Sequence, residues 1–399
     1  MRILFVWDSD YPWDIRVEKI CSTLINYGYE VHLVCRNRHR RVPEEIYEGI
    51  HIHRLPFLSS DLGRLNDLFS FPAFFSPVWL KKIRNIVRSK EIDLIMVRDL
   101  PLALGALAIG KRYSVPVILD MAECYPELLR LIWKYEPLKF QNVIVRNPYV
   151  ADVIEFASVK LADHVFVMIE ESRERLLRKK VAPADITIVS NTPVLSRFEA
   201  TVATWPGSMK QHKGKLILLY AGFINYSRGL DTVFRSLKEY LSINENVFLV
   251  LLGTGTATAD LKRMANDMSI ENNVVFEGWV DNKLIPEYVA SADVCLVPHH
   301  KCSHWDHTIP NKLFDYMAAG KPVLVSNVNP MMRIVKNMRC GLVYEDNNIG
   351  SFVSMLSRLQ NQELRQQLGE RGFNAVKDRY NWEHDSAAMM EAIKKLHRT

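Results

Sequence analysis

The sequence predicts an α/β protein of two doubly wound domains that face a cleft. The chain opens with an apolar strand at residues 2–7, an amphipathic helix ending near Gly28 and a second strand at residues 31–34. Near-continuous apolar strands are typical of parallel sheets buried on both faces. A second strand–helix series begins at residue 215, after the irregular polar stretch 195–214. The length of 399 residues allows two or three domains, each with its own core.

Short apolar runs predict the remaining strands of the first half at residues 94–97, 115–119, 164–168 and 186–189. Helical patterns lie between most of these runs. In doubly wound sheets, ligands bind beyond the carboxyl ends of the strands. We expect domains at residues 1–205 and 206–380, followed by a C-terminal segment at 381–399.

The composition indicates a globular cytoplasmic protein. Apolar residues make up 48% of the chain and charged residues 24%, and no apolar run reaches the ~20 residues of a membrane-spanning helix. The N-terminal apolar stretch is too short for a secretory signal. A net charge of +6 and a pI near 8.9 are too weak to indicate nucleic-acid binding. They suit acidic partners such as nucleotide phosphates or anionic lipid headgroups.

None of the six cysteines forms a CxxC pair, and three lie in apolar runs. This pattern predicts buried thiols in a reducing compartment. The histidine-rich stretch around Cys302 raises the alternative of a metal site, built from His299, His300, His304 and His307. Their spacing matches no zinc pattern, so a metal site is disfavoured and no cofactor is expected.

Polar side chains follow two predicted strands of the first half. Asp14 and Arg16 lie in the loop after the first strand, and Asp120 and Glu123 follow the strand at 115–119. A carboxylate at this edge can orient an acceptor hydroxyl or act as a base. Alternatively, Asp14 and Asp120 cap helices, Glu123 makes a dipole contact and Arg16 lies on the surface. The residues alone leave both interpretations open.

The segment 65–90 places aromatic residues ahead of basic ones. The aromatic residues are Phe69, Phe71, Phe74, Phe75 and Trp79, and the basic residues are Lys81, Lys82, Arg84 and Arg88. Such a helix can lie in a membrane interface. We slightly favour a helix packed on the core, because Pro72 and Pro77 interrupt any long amphipathic helix.

The stretch 307–325 predicts a loop, a helix start and a buried strand. Thr308 is placed to cap a helix with Pro310 in its first turn, and Gly320 is placed to end it. A helix start can bind phosphate. Asp315 lies about 7–8 Å along this helix, where its carboxylate can accept hydrogen bonds from a ribose diol. An ordinary capped helix with a solvated Asp315 explains the pattern equally well.

The turn GFINYSRG joins the strand beginning at residue 215 to the next helix. Gly222 lets the backbone approach a ligand, and Arg228 can bind a phosphate bidentately. Alone, this signal is weak, because an arginine near a turn is usually a solvated surface residue. The predicted position of Arg228 at the same sheet edge as the Asp315 helix favours binding. The absence of GxGxxG and P-loop motifs disfavours a Rossmann dehydrogenase or a P-loop NTPase.

These motifs resemble the family-four retaining glycosyltransferases of the GT-B fold, over nearly the whole chain. PNKLFDYMAAGKPV resembles the family's donor helix, YAGFINYSRGLD its phosphate-binding turn, and LLGTG, VVFEGWV and YVASADVCLVP its donor-domain core. RVEKICSTLINYGYEVHLVC, VRDLPLALGA and VILDMAECYPELL resemble the acceptor half of a bacterial cell-envelope branch.

The resemblance assigns donor roles. Asp315 takes the place of the second acid of a Glu-x7-Glu signature, and this acid binds ribose. Arg228 takes the place of the basic residue that neutralises the diphosphate. The residues expected around the phosphates and the base are Ile309, Pro310, Asn311, Lys312, Gly222, Asn225, Gly229 and Gly278. The helix at 382–397 is expected to cross back onto the first domain. Three positions depart from the family pattern: His307 replaces the first acid, Phe223 an arginine, and Ala122 a histidine. Lys312 is the candidate to replace the missing cation.

The implied enzyme transfers a sugar with retention from a nucleoside diphosphate donor to a lipid-linked or nascent surface glycan. In the implied front-face attack, the leaving diphosphate helps take the acceptor proton, and no metal is required. Glu123, Arg16 and Asp14 are expected on the acceptor side. Peripheral contact with the inner membrane face is a further expectation. Two alternatives stay open: a nucleotide-sugar 2-epimerase, which the donor-helix motif disfavours, and an inactive GT-B binding module, with which the three departures agree.

Overall fold

The computed structural model describes residues 1–12, 14–57, 71, 74, 76–135, 146–198 and 203–398. The chain forms two compact units, Met1–Val189 with Ser386–Thr399 and Ser190–Asp385. The sequence-based boundaries lie at residues 205 and 380 instead. Residues soon after Val189 already bond within the second unit, since Thr192 donates to Asp385.

The first unit contains an eight-stranded sheet in the order β3-β4-β2-β1-β5-β6-β7-β8. Only β3 is antiparallel to its neighbour. The β3–β4 hairpin was not predicted from the sequence, because β3 is a short, charged and largely exposed edge strand without an apolar run. The strands are β1 (Arg2–Asp10), β2 (Glu30–Arg36), β3 (Glu44–Tyr47), β4 (Ile50–Arg54), β5 (Leu94–Arg98), β6 (Val117–Met121), β7 (His164–Val167) and β8 (Ile186–Ile188).

Six helices accompany this sheet in the described residues: α1 (Ile15–Asn26), α2 (Pro77–Ser89), α3 (Ala103–Tyr113), α4 (Tyr125–Tyr135), α5 (Pro148–Leu161) and α6 (Glu170–Arg178). Side-chain caps begin two of them. Asp14 caps α1 and Asn147 caps α5, each by accepting two backbone N–H bonds. The apolar side chains of residues 3–6 in β1 and of β5 and β6 are buried, as expected for central parallel strands.

The second unit contains an entirely parallel six-stranded sheet in the order β11-β10-β9-β12-β13-β14. Its strands are β9 (Leu216–Ala221), β10 (Val247–Leu252), β11 (Val274–Gly278), β12 (Val294–Val297), β13 (Val323–Ser326) and β14 (Gly341–Tyr344). The helices that follow the linker are α7 (Leu230–Leu241), α8 (Thr258–Asp267), α9 (Ile285–Ser291), α10 (Lys312–Ala318), α11 (Asn329–Met338), α12 (Ile349–Arg358), α13 (Gln362–Asp378) and α14 (Trp382–Arg398). From Ser386 onward, α14 belongs to the first unit.

Each sheet has one point at which the strand order reverses. In the first unit it lies between β1 and β5, and in the second between β9 and β12. Connections leave these neighbouring strands in opposite directions, which opens a crevice at their carboxyl ends. The strand order therefore gives each unit one preferred ligand position.

The segment 65–90 lies partly outside the described residues, which exclude 58–70, 72, 73 and 75. Its described helix, α2, packs on the core through Trp79, Ile83 and Val87, while Lys81 and Arg84 are exposed. This arrangement agrees with the packed-helix interpretation for that part. Within the described residues, every helix is too short or too polar to cross a membrane.

Candidate active site

Charged side chains collect at the switch point of the first unit. Asp8 lies in the last part of β1, Arg98 ends β5, Asp99 follows it and Asp120 lies near the end of β6. These three strands are neighbours in the sheet, so their carboxyl ends come together. Carboxylates and guanidinium groups therefore meet where a ligand is expected.

Arg16 forms a buried ion pair with Asp120. Its Nε donates to Asp120 Oδ2 at 2.9 Å and its Nη2 donates to Oδ1, and the two residues are 1% and 0% exposed. A surface position for Arg16 is therefore wrong. A buried guanidinium paired in this way fixes the first turn of α1 against β6, which argues for a positioning role instead of the acceptor contact expected from the sequence.

Asp14 serves the structural role that the sequence left open. Its Oδ1 accepts the N–H groups of Arg16 and Val17 at 3.0 Å, which caps α1, and it also pairs with Arg98. The Arg98 guanidinium lies 4.2 Å from the Trp7 ring centroid. Asp14 thus links the start of α1 to the end of β5.

Asp99 holds the loop that carries Glu123. Its Oδ1 accepts a hydrogen bond from the Glu123 backbone N–H at 3.2 Å, and its φ of +57° lies in the left-handed region that Asp and Asn tolerate best. Burial raises the pKa of Asp99 to about 8. The Arg98 charge opposes this shift, whereas the carboxylates of Glu123 and Asp120 add to it. This shift favours a protonated Asp99 carboxyl group beside Glu123 at neutral pH.

In the second unit, Gly222 and Lys312 meet at the end of β9. A Cβ on Gly222 would lie 2.5 Å from Lys312 Nζ, and this ammonium group lies 3.8 Å from the Tyr220 ring centroid. Lys312 is half-buried, but its Nζ is fully buried and has no hydrogen-bond partner among the described residues. Burial lowers the pKa of Lys312 well below its usual value; the Arg228 charge adds to this shift and Asp315 opposes it.

Arg228 is held by two aromatic rings. Its Nη1 donates to His299 Nε2 at 2.5 Å, and its Cζ lies 4.6 Å from the Trp305 ring centroid. Burial, with the charges of Arg228 and Lys312, lowers the pKa of His299 well below its usual value, so the imidazole is neutral. Within the described part of the chain, Arg228 Nε and His299 Nδ1 are buried without partners. Two basic side chains with unused donors, Arg228 and Lys312, thus lie at the β9/β12 switch point, where an anion would satisfy them.

The loops that follow β9, β10 and β11 bring their backbones close together at the carboxyl edge of the second sheet. Gly253 N donates to Gly278 O at 2.6 Å, and a Cβ on Gly253 would lie 2.1 Å from Gly222 O. Asn225 Oδ1 accepts the Thr256 N–H at 3.3 Å. Asn225 therefore joins two loops, while the glycines allow these backbones to approach.

Gly229 is expected to tolerate no side chain. It has a φ of +68°, and an added Cβ would lie 1.9 Å from Pro298 O. Gly229→Ala should lower the free energy of unfolding by at least about 2 kcal/mol, because the clash adds to left-handed strain. Gly320→Ala is the matched control, since its φ is +65° but its Cβ would meet nothing within 4 Å. Equal losses for the two variants in urea unfolding would contradict the predicted clash.

His300 is expected to stabilise the second unit in a pH-dependent way. Hydrogen bonds to Asp231 and Asp346, 2.8 Å each, raise its pKa to about 9. The native state then binds the proton more tightly than the unfolded chain. The stabilisation should be complete below pH 6.5 and disappear as pH rises through about 9. His300→Gln should cost on the order of 2–3 kcal/mol at pH 6. A cost that stays constant to pH 10 would contradict the ion-pair origin.

The donor segment differs from its prediction because α10 begins at Lys312. Thr308 is extended, with a φ of −147°, and does not cap the helix; Asn311 occupies the N-cap position. The Leu313 N–H bonds to the Pro310 carbonyl three residues back, so a tight turn precedes the α-helix. Asp315 consequently lies in the first turn of α10, close enough to Lys312 to influence its charge.

The remaining residues of this segment have mainly structural surroundings. Ile309 and Pro310 are buried, and His307 Nδ1 donates to Ser303 O at 2.8 Å. In the described ranges, no group of three or more histidine, cysteine or acidic side chains could hold a metal ion.

Asp99, His299 and Trp305 lie at these sites but were not predicted from the sequence as catalytic or donor-binding residues. Asp99 directly follows an apolar strand, so the rule applied to Asp120 would also have found it. His299 follows β12 closely but was considered only as a metal ligand. No local pattern indicated Trp305, whose contact with Arg228 depends on the fold of the loop.

Comparison with known proteins identifies both halves of the chain. Residues 14–192 match the family described as "Glycosyl transferase 4-like domain", and residues 203–375 match "Glycosyl transferases group 1". The Escherichia coli enzyme UDP-Gal:alpha-D-GlcNAc-diphosphoundecaprenol alpha-1,3-galactosyltransferase is 19% identical, with 89% of this chain and 88% of the enzyme covered.

Solved structures share the fold at low sequence identity. Sucrose-phosphate synthase from Thermosynechococcus elongatus has a TM-score of 0.78 and 18% identity, covering 99% of this chain and 98% of that one. HepE from Anabaena, solved in complex with UDP, has a TM-score of 0.72 and 13% identity, covering 99% and 100%. With a matching family in each half and the same two-domain α/β architecture, the chain belongs to the family-four glycosyltransferases of the GT-B fold.

Proposed function

We propose that the protein transfers a sugar, with retention, from a nucleoside diphosphate donor to a lipid-linked or nascent glycan of a surface polysaccharide. The observation that carries this proposal is the pair of basic side chains at the β9/β12 switch point. Lys312 Nζ and Arg228 Nε are buried without hydrogen-bond partners among the described residues. Buried donors of this kind are costly unless a ligand satisfies them, and a diphosphate has the matching charge.

UDP is the first donor nucleotide to test. HepE was solved with UDP and with UDP-glucose, and the related Escherichia coli enzyme is described as a user of UDP-Gal. In the proposed complex, Arg228 and Lys312 bind the diphosphate and Asp315 binds the ribose. Gly222, Gly253 and Gly278 supply the backbone surface between them.

The proposed reaction is a front-face displacement in which the diphosphate leaves as the acceptor hydroxyl attacks. Arg228 and Lys312 stabilise the negative charge that develops on the leaving group, which is the main contribution expected of such a site. The departing diphosphate helps take the acceptor proton. The proposed scheme requires no metal, because Arg228 and Lys312 stabilise the charge of the leaving group. Glu123, held by Asp99, orients the acceptor hydroxyl, while Arg16 and Asp14 keep α1 in place.

The acceptor molecule in this proposal is suggested by a relative whose name includes a lipid-linked substrate. The name of the Escherichia coli enzyme specifies a sugar on diphosphoundecaprenol. An acceptor of that kind would place this protein in the cytoplasm, at the inner face of the membrane.

Calorimetric titration with UDP, GDP and dTDP, followed by donor-turnover assays with lipid-linked glycans, tests the proposal. Selective binding of one nucleotide and acceptor-dependent release of that nucleotide would support it. The departures at Phe223, Ala122 and His307 favour one competing function, an inactive binding module. Nucleotide binding without turnover for any acceptor would support that module, and release of an altered free nucleotide-sugar would indicate an epimerase.

A further inference from the structure

We propose that the outer side of α5 docks on an anionic phospholipid bilayer. This surface, the α5 face, consists of Tyr149, Val150, Val153, Phe156 and Leu161. Their exposed fractions are 69%, 44%, 69%, 54% and 56%. No other described helix exposes as many large apolar side chains. The inference concerns a surface of the first unit and does not depend on the proposed reaction.

The helix is apolar on both sides, which is unusual for a surface helix. Its inner side buries Ala151, Ile154 and Val159 in the first unit. Tyr149, Val153 and Phe156 follow one another at spacings of four and three residues, so they form one stripe on the opposite side. A helix with apolar residues all round is normally covered on every side, which indicates that the α5 face is covered when the protein functions.

The charges around this stripe favour a negatively charged partner. Arg146 and Lys160 are exposed near the two ends of α5. The acidic side chains nearby are balanced by internal pairs. Glu127 and Asp152 share Arg130, which leaves one negative charge. Glu155 is buried against both Arg175 and Lys179, which leaves one positive charge, so these six charges cancel. The α5 face therefore presents apolar side chains with positive charge at its rim.

A bilayer surface fits these features better than a protein partner. An apolar stripe with basic ends suits a helix that lies flat between headgroups and acyl chains. Tyr149 has the amphipathic ring that prefers this depth, and the Arg130 guanidinium lies 5.8 Å from its centroid. The 14 residues of α5 span only about 21 Å, so the helix can lie in the interface but cannot cross the membrane.

Vesicle flotation of the full chain, without nucleotide, tests the inference. The wild type should float with vesicles of phosphatidylcholine and phosphatidylglycerol, and less with phosphatidylcholine alone. The triple variant Tyr149→Ser, Val153→Ser, Phe156→Ser should bind the anionic vesicles at least about tenfold more weakly. The matched control is Val42→Ser, Ile46→Ser, Ile243→Ser, which removes side chains that are 56%, 67% and 64% exposed elsewhere. This control should float like the wild type.

Three further measurements separate the alternatives. Arg146→Gln with Lys160→Gln should remove the preference for anionic lipid. Sedimentation should give the same mass for the wild type and the triple variant; a wild-type dimer dissociated by the triple variant would assign the α5 face to a second copy and overturn the proposal. Equal flotation of wild type and triple variant would overturn it as well. Nucleotide binding by the triple variant should match the wild type, so failure of the enzymatic proposal is recognised separately.

Discussion

Replacing Arg228 with alanine is expected to weaken UDP binding by about ten- to 150-fold. Loss of one charged hydrogen-bond donor costs about 1.5–3 kcal/mol, which corresponds to that range. The guanidinium is held in place by His299 and Trp305 before any ligand arrives, so little conformational entropy is lost on binding. Calorimetric titration of UDP into the wild type and Arg228→Ala measures the difference.

Uridine is the control ligand, because it has the base and ribose of UDP but no phosphate. Its affinity should be equal for the wild type and Arg228→Ala. Equal weakening of UDP and uridine would contradict a phosphate contact and point to a distorted site. Thermal unfolding must accompany the titration, since the variant also removes the hydrogen-bond partner of the buried His299.

Lys312→Met provides a second test of the same site. In the free protein, burial and the Arg228 charge lower the pKa of Lys312 well below its usual value. A bound diphosphate favours the charged ammonium and raises this pKa, so UDP binding should take up protons at pH values between the free and bound pKa. Titrations in buffers of different ionisation enthalpy detect the uptake. It should be absent in Lys312→Met, and uptake that persists in this variant would assign the proton to another group.

The sequence was sufficient for the parts of the site that depend on strand ends. Parallel strands were recognised from apolar runs, and their carboxyl ends share one edge. Gly222, Arg228 and the helix that carries Asp315 could therefore be placed at one edge of the sheet from the sequence. The structure adds that Gly222 and Lys312 are close enough for a Cβ to clash.

The sequence was insufficient where a role depends on partners distant along the chain. Arg16 and Asp120 were placed at the same edge, but no local pattern distinguishes a buried ion pair from two ligand-binding groups. The start of α10 illustrates a second limit. Thr308 and Pro310 fit the composition of a helix start. However, the Pro310 carbonyl accepts a hydrogen bond from the Leu313 N–H in a tight turn, so the α-helix begins only at Lys312. Such a choice between turn types is settled by packing, since Ile309 and Pro310 are buried.

Replacing Asp99 with asparagine is expected to stabilise the protein at pH 8 but not at pH 4. The pKa of Asp99 is raised from its ordinary value of 3.8 to about 8, mainly by burial. Between these values the native state holds a proton that the unfolded chain has released, so Asp99 makes the free energy of unfolding fall as pH rises. Asparagine has no such proton, retains an oxygen that can accept the Glu123 N–H, and tolerates the φ of +57°.

Thermal unfolding of the wild type and Asp99→Asn from pH 4 to pH 9 measures this effect directly. Asp99→Ala is the second variant, because it removes both the proton and the acceptor for the Glu123 N–H. It should lose more than the ~0.5–1.5 kcal/mol of the hydrogen bond relative to Asp99→Asn at every pH, because alanine also tolerates the left-handed φ less well. If Asp99 also controls the position of Glu123 during sugar transfer, wild-type turnover should decrease as pH rises through about 8. Asp99→Asn should then lack this decrease. The same stability difference between wild type and Asp99→Asn at pH 4 and pH 8 would mean that Asp99 is ionised throughout, and that Glu123 lies beside a charge instead of a neutral carboxyl group.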